Sequence, residues 1–82
     1  MYGGKNGVYP EGQYEVGVDI AVGTYILRGY DGYDGNISIY NSYKDFTKNE
    51  MLTFKSFEKE YHLPLRQVGM YIEVENATLT RV

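Results

Sequence analysis

Cysteine and tryptophan are absent from this 82-residue chain, and it has only two prolines and one histidine. Without cysteine no disulfide can staple the fold, and no thiolate can attack a substrate or ligate a metal. His62 alone would need nearby carboxylates to hold zinc, and Glu58 and Glu60 do not stand at a ligand spacing. A Ser-His-Asp triad would need a held nucleophile beside His62, and Ser38, Ser42 and Ser56 lie in no nucleophile-elbow sequence. No apolar run approaches the roughly 20 residues of a membrane helix, so no transmembrane segment is expected in this chain. The N-terminus shows no signal-peptide pattern.

Charge of one sign is also scarce. Eleven acidic residues stand against eight basic ones, for a net charge of −3. Lys44, Lys48, Lys55 and Lys59 are interleaved with Asp45, Glu50, Glu58 and Glu60. That mixture is a solvated face, not the clustered basic surface that displaces counterions from nucleic acid. These absences predict a protein that is not an enzyme, uses no cofactor or metal, and does not bind nucleic acid.

What the chain does have is tyrosine: ten, beside three phenylalanines. A chain this short buries roughly 60–65% of the surface that its unfolded form exposes. Tyrosine suits such a shallow interior because it buries a ring while keeping its hydroxyl wet.

Patterning is that of β structure. Residues 1–12 are rich in glycine, carry Pro10, and read as a flexible lead; residues 13–82 read as one β domain. Tyr14 and Val16 alternate with Gln13 and Glu15. Thr24–Arg28 is β-branched and aromatic, and Ile37–Tyr40 alternates. The intervening Gly-Tyr-Asp-Gly-Tyr-Asp-Gly-Asn is a strong turn signal, so residues 24–40 read as a hairpin with a long aromatic loop. Residues 41–50 read as a loop or one turn of helix. In 51–57, Leu52 and Phe54 are expected inward, with a bulge or strand end near Ser56 because Phe57 breaks the parity. Tyr61, Leu63 and Leu65 share a face, and Pro64 places their strand at an edge or ends it there. Met70, Ile72 and Val74 share another, and residues 78–82 form a last strand. No sustained helical stripe appears. The expected fold is all-β: a small antiparallel, jelly-roll-like β-sandwich of about seven strands, with a small barrel as the alternative.

The stretch Gly12–Tyr25 resembles the Y-x-V-G-x-D-I-P-A-G-x-Y signature of small β domains of Gram-positive bacteria, common in secreted proteins and lipoproteins of uncharacterised function. Tyr14, Val16, Gly17, Asp19, Ile20, Gly23 and Tyr25 match; Ala21 and Val22 replace the usual Pro-Ala. Gly69–Val74 and Ala77–Val82 resemble the closing strands of that family. The resemblance spans about residues 12–82 and implies an exported β-sandwich domain. It carries over no catalytic or binding residue. Gly17, Asp19 and Gly23 are expected to shape the turn between two strands, with Asp19 accepting backbone amide protons.

Two candidate sites remain. Asp31, Asp34 and Asn36 crowd one loop, but their spacing is not that of a calcium loop, and Asp-Gly turns explain them. Tyr30, Tyr33, Tyr40 and Tyr43 are candidate ligand-binding residues, able to stack on sugar rings or anchor a protein partner. The function expected is a non-catalytic extracellular or cell-surface accessory domain. It would present residues 29–36 and 41–50 to a partner protein or a cell-surface polymer. The alternatives are a carbohydrate-binding module with Tyr30, Tyr33 and Tyr43 as its platform, a purely structural domain of a lipoprotein, or a cytoplasmic location. An open sheet edge would also allow an oligomer.

Overall fold

The computed structural model describes residues 7–82. Alternation of side chains builds it. In β3 (Gly23–Gly29), Tyr25 and Leu27 are fully buried while Thr24 and Arg28 face solvent. In β8 (Ala77–Arg81), Ala77 and Leu79 point inward. β7 (Tyr71–Glu75) contributes Ile72 and Val74, and β6 (Glu60–Leu65) contributes Leu63 and Leu65. Each such side chain gains roughly 1.5–3 kcal/mol from leaving water, which must offset the backbone entropy of short strands.

Eight strands form two four-stranded antiparallel sheets. The first orders β1 (Val8–Tyr9), β8, β3 and β6; the second orders β2 (Gly12–Glu15), β7, β4 (Gly35–Tyr40) and β5 (Thr53–Phe57). The pairs β1–β8, β2–β7, β3–β6 and β4–β5 make one long ribbon folded over itself. The β3–β8 and β4–β7 ladders close the roll. This is the jelly-roll arrangement of a sandwich, with no closed barrel. The core lies between the sheets: Val16, Ile20, Tyr25, Leu27, Ile37, Leu63, Leu65, Ile72, Val74 and Leu79 all pack within it. Among the described residues no helix is long and apolar enough to cross a membrane.

Three expectations need correction. Strand pairing starts inside the expected lead: Val8 and Tyr9 pair with Thr80 and Leu79, and Tyr9 is buried. Residues 8–12 thus add an eighth strand and carry the chain between sheets at Pro10, while residues 1–6 of that lead lie outside the described residues.

Residues 24–40 are not a hairpin. β3 and β4 lie in opposite sheets, and residues 30–34 bridge the roughly 10 Å between them. β5 ends at Phe57 with no bulge. Its register against β4 runs unbroken from Thr53 opposite Ile39 to Phe57 opposite Gly35.

Phe57 is the buried residue of β5 and sets its parity, so Leu52 and Phe54 face outward and are about half-exposed. Gly35 makes that possible: a Cβ there would stand 2.4 Å from the Phe57 ring.

Three of the four outer edges carry a feature that discourages pairing with another chain. β1 is two residues long, and β6 holds Pro64. β5 places Lys55 on its core-facing side, opposite Ile37, yet exposed.

Gly35→Ala forces Phe57 out of its seat. It is expected to lower stability by about 1–3 kcal/mol in chemical denaturation. Combining it with Phe57→Leu, which frees the space, should lose less than the two single changes summed. Strict additivity would refute the contact.

Candidate functional site

The tyrosines divide into three settings. Tyr9 and Tyr25 belong to the core, with Tyr14 packed against it. The Tyr9 ring meets Tyr14 and Tyr25 edge-on, at 5.8 and 6.2 Å between centroids. The Tyr25 hydroxyl donates to the Ala21 carbonyl at 2.7 Å, which ties the turn after β2 to the core. In that turn Gly17 has φ +94°, and the Asp19 carboxylate accepts from the Glu15 amide at 2.8 Å. Gly23 opens β3 under the Arg81 guanidinium, which donates to the Val22 carbonyl at 2.9 Å.

A second group covers the outer face of the second sheet. The short helix α1 (Tyr43–Thr47) starts at Ser42, whose hydroxyl accepts from the Asp45 amide at 3.1 Å. It lays Phe46 over Tyr40 and Tyr71, at 5.1 and 4.7 Å between centroids, and Tyr43 over Tyr71 at 5.1 Å. Tyr40 is therefore only 4% exposed, whereas Tyr43 is 53% exposed. As a candidate ligand residue Tyr40 is corrected: it is a packing residue under the helix.

Tyr30 and Tyr33 make the third setting. The Tyr33 amide donates to the Tyr30 carbonyl at 3.1 Å, closing a four-residue turn with Gly32 third at φ +83°. That is the type II turn, which needs positive φ at this position and therefore glycine. Tyr30 and Tyr33 thus stand at its two ends, 36% and 63% exposed. They line an open groove of about 520 Å³ together with Arg28, Asp31, Asp34, Glu58, Lys59 and Glu60.

One wall is the β3–β4 loop and the other the β5–β6 turn. The walls meet at Gly29, whose amide donates to the Lys59 carbonyl at 2.9 Å. A Cβ on Gly29 would stand 3.1 Å from the Glu58 carbonyl oxygen. The Tyr30 amide donates to the Asn76 carbonyl at 2.8 Å and anchors the loop's start.

The four candidate tyrosines do not converge. Tyr30 and Tyr33 precede β4, and Tyr40 and Tyr43 lie at its far end, about 17 Å away along a six-residue strand. A single platform of Tyr30, Tyr33 and Tyr43 is thus not formed. Residues 41–50 likewise sit at the opposite end from residues 29–36.

Sequence reasoning missed the second wall of the groove, Arg28 and Glu58–Glu60. Nothing local marks it, because which turn abuts the tyrosine loop depends on the roll of the sheets.

In the groove the Arg28 guanidinium pairs with Glu60 at 3.2 Å. The Asp31, Asp34 and Glu58 carboxylates have no side-chain partner among the described residues. There, too, no three histidine, aspartate or glutamate groups cluster to hold a metal ion. His62 is exposed on the outer face of β6, opposite Ile26, with no hydrogen bond or ion pair among the described residues.

Two phenols that do not line the groove are perturbed. Burial, then Tyr9, Tyr30 and Asp19, pushes the Tyr14 hydroxyl above its ordinary pKa, and it donates to the Pro10 carbonyl. Burial, then chiefly Tyr43, does the same to Tyr71, which donates to the Gln13 side chain at 3.1 Å.

The chain matches no known protein family, and neither a curated protein nor a solved structure matches it.

The raised phenols predict an alkaline weakness. In the unfolded chain these hydroxyls ionise near their ordinary value of about 10, whereas the fold keeps them protonated longer. The unfolded state therefore sheds protons first. Stability is full below that value and falls as pH rises through it. Urea midpoints measured from about pH 8 to about pH 11 should fall. The double variant Tyr14→Phe/Tyr71→Phe should show a flatter slope; an unchanged slope refutes the assignment.

Proposed function

We propose that this chain is a non-catalytic interaction module of the bacterial cell surface that holds its partner in the groove between the β3–β4 loop and the β5–β6 turn. One observation carries this reading: Tyr30 and Tyr33 stand exposed at the ends of one hydrogen-bonded turn, beside three carboxylates with no side-chain partner among the described residues. Exposed tyrosine at the rim of a concavity is the usual anchor of a recognition surface, because its stiff ring loses little entropy on binding. A surface location is supported by the resemblance of residues 12–25 and 69–82 to exported β domains. The non-catalytic reading rests on His62, which is exposed on a sheet face and is not among the residues that line the groove.

A second reading, sugar binding, is favoured by the exposure of Tyr33. It narrows to Tyr30 and Tyr33, since Tyr43 lies at the other end. A purely structural role in a lipoprotein is the third, and it needs no ligand.

The test is retention of the chain on Gram-positive cell-wall material and on the matching cell-surface protein fraction. Tyr33→Ala is expected to lower retention about tenfold, while Tyr43→Ala leaves it unchanged. Retention that ignores Tyr33→Ala overturns the groove, and a glycan array with the same variants separates sugar from protein.

A further inference from the structure

Resting on the groove as the binding surface, we propose that it is a receptor for a guanidinium group, an arginine side chain carried by a basic peptide segment of the partner. The hydrogen-bonding inventory points this way first. Ionised Asp31, Asp34 and Glu58 only accept, so a ligand must bring the donors. Arg28 is already committed to Glu60, which leaves Lys59 as the one free cationic donor among the lining residues. The lining carries two more negative than positive charges, and a cationic ligand restores the balance.

Geometry narrows the cation. The carboxylates come from both walls, Asp31 and Asp34 on the loop and Glu58 on the facing turn. They do not converge tightly enough for a metal ion, but they suit a broad, delocalised charge. The rings of Tyr30 and Tyr33 add π faces, which attract a cation held above them. Guanidinium is planar, stacks on such rings, and sheds water more easily than ammonium. An amino sugar carries a compact ammonium directly on its ring and offers Tyr33 no such plane. A neutral sugar would donate hydroxyls to the carboxylates but bring no positive charge to offset their excess.

The experiment titrates the intact chain with a tetra-arginine peptide, a tetra-lysine peptide and a chitosan oligosaccharide, following backbone amide shifts. The arginine peptide is expected to bind tightest, with shifts confined to residues 28–34 and 58–60. Tyr33→Ala should weaken it roughly tenfold. The pair Asp31→Asn and Glu58→Gln should weaken it at least as much, and Tyr43→Ala should change nothing. Tyr33 is largely exposed, so its loss leaves the fold intact, which the unshifted core amides will show.

Equal binding of the lysine peptide, tighter binding of chitosan, or arginine binding indifferent to Tyr33→Ala each overturns the proposal. If surface material still needs Tyr33 while the arginine peptide fails, only the guanidinium assignment falls. If neither needs Tyr33, the groove itself is refuted as the binding surface.

Discussion

Three backbone segments meet at Gly29, and that close approach is what the candidate site depends on. The end of β3 lies against the β5–β6 turn, near enough that a Cβ would crowd the Glu58 carbonyl. The same Cβ would meet the Gly35 amide nitrogen at 3.6 Å, where β4 begins. Glycine at 29 lets the first sheet run under the turn, and glycine at 35 lets Phe57 seat beneath the loop. Phe57 then stacks on Tyr61, at 5.8 Å and 23° between planes. The walls of the groove are thus the two turns that this packing brings together. Such a site is held by contacts that no ligand needs to make, which keeps the ordering cost of binding small.

The aromatic residues have been sorted by role at opposite ends of β4. At one end α1 closes a small apolar layer over Tyr40 and Tyr71, so the second sheet packs on both faces there. A five-residue helix has little stability of its own. Its Ser42 cap and the Phe46 contacts hold it. At the other end a type II turn holds two rings away from any core. The same residue type therefore supplies packing area in one place and contact area in another, and burial decides which.

Much of the fold was legible in the residues. Period-two alternation located β3, β4, β6, β7 and β8, and of the edge or strand end that Pro64 allowed, the ladders show the edge, β6. What failed was the pairing of β3 with β4, which lie in different sheets. An Asp-Gly loop reads as a hairpin whether it reverses within one sheet or crosses to the next, because local φ preferences are the same. β5 misled for another reason. Leu52 and Phe54 look like core, but one buried residue at the strand end, Phe57, fixes parity for the whole strand. The first strand was hidden because two residues, Val8 and Tyr9, show no period. The groove was half-legible: its loop wall is a tyrosine-rich turn, while its other wall is a charged stretch that only the three-dimensional roll brings near.

The most direct test of this account replaces Gly29 with alanine and compares backbone amide spectra with the parent chain. The displaced residues should be those of the two walls, about residues 29–35 and 57–60, while the amides of β7 and β8 away from the junction keep their positions and their slow exchange. A spectrum unchanged at both walls would contradict the claim that backbone contact at Gly29 sets the groove.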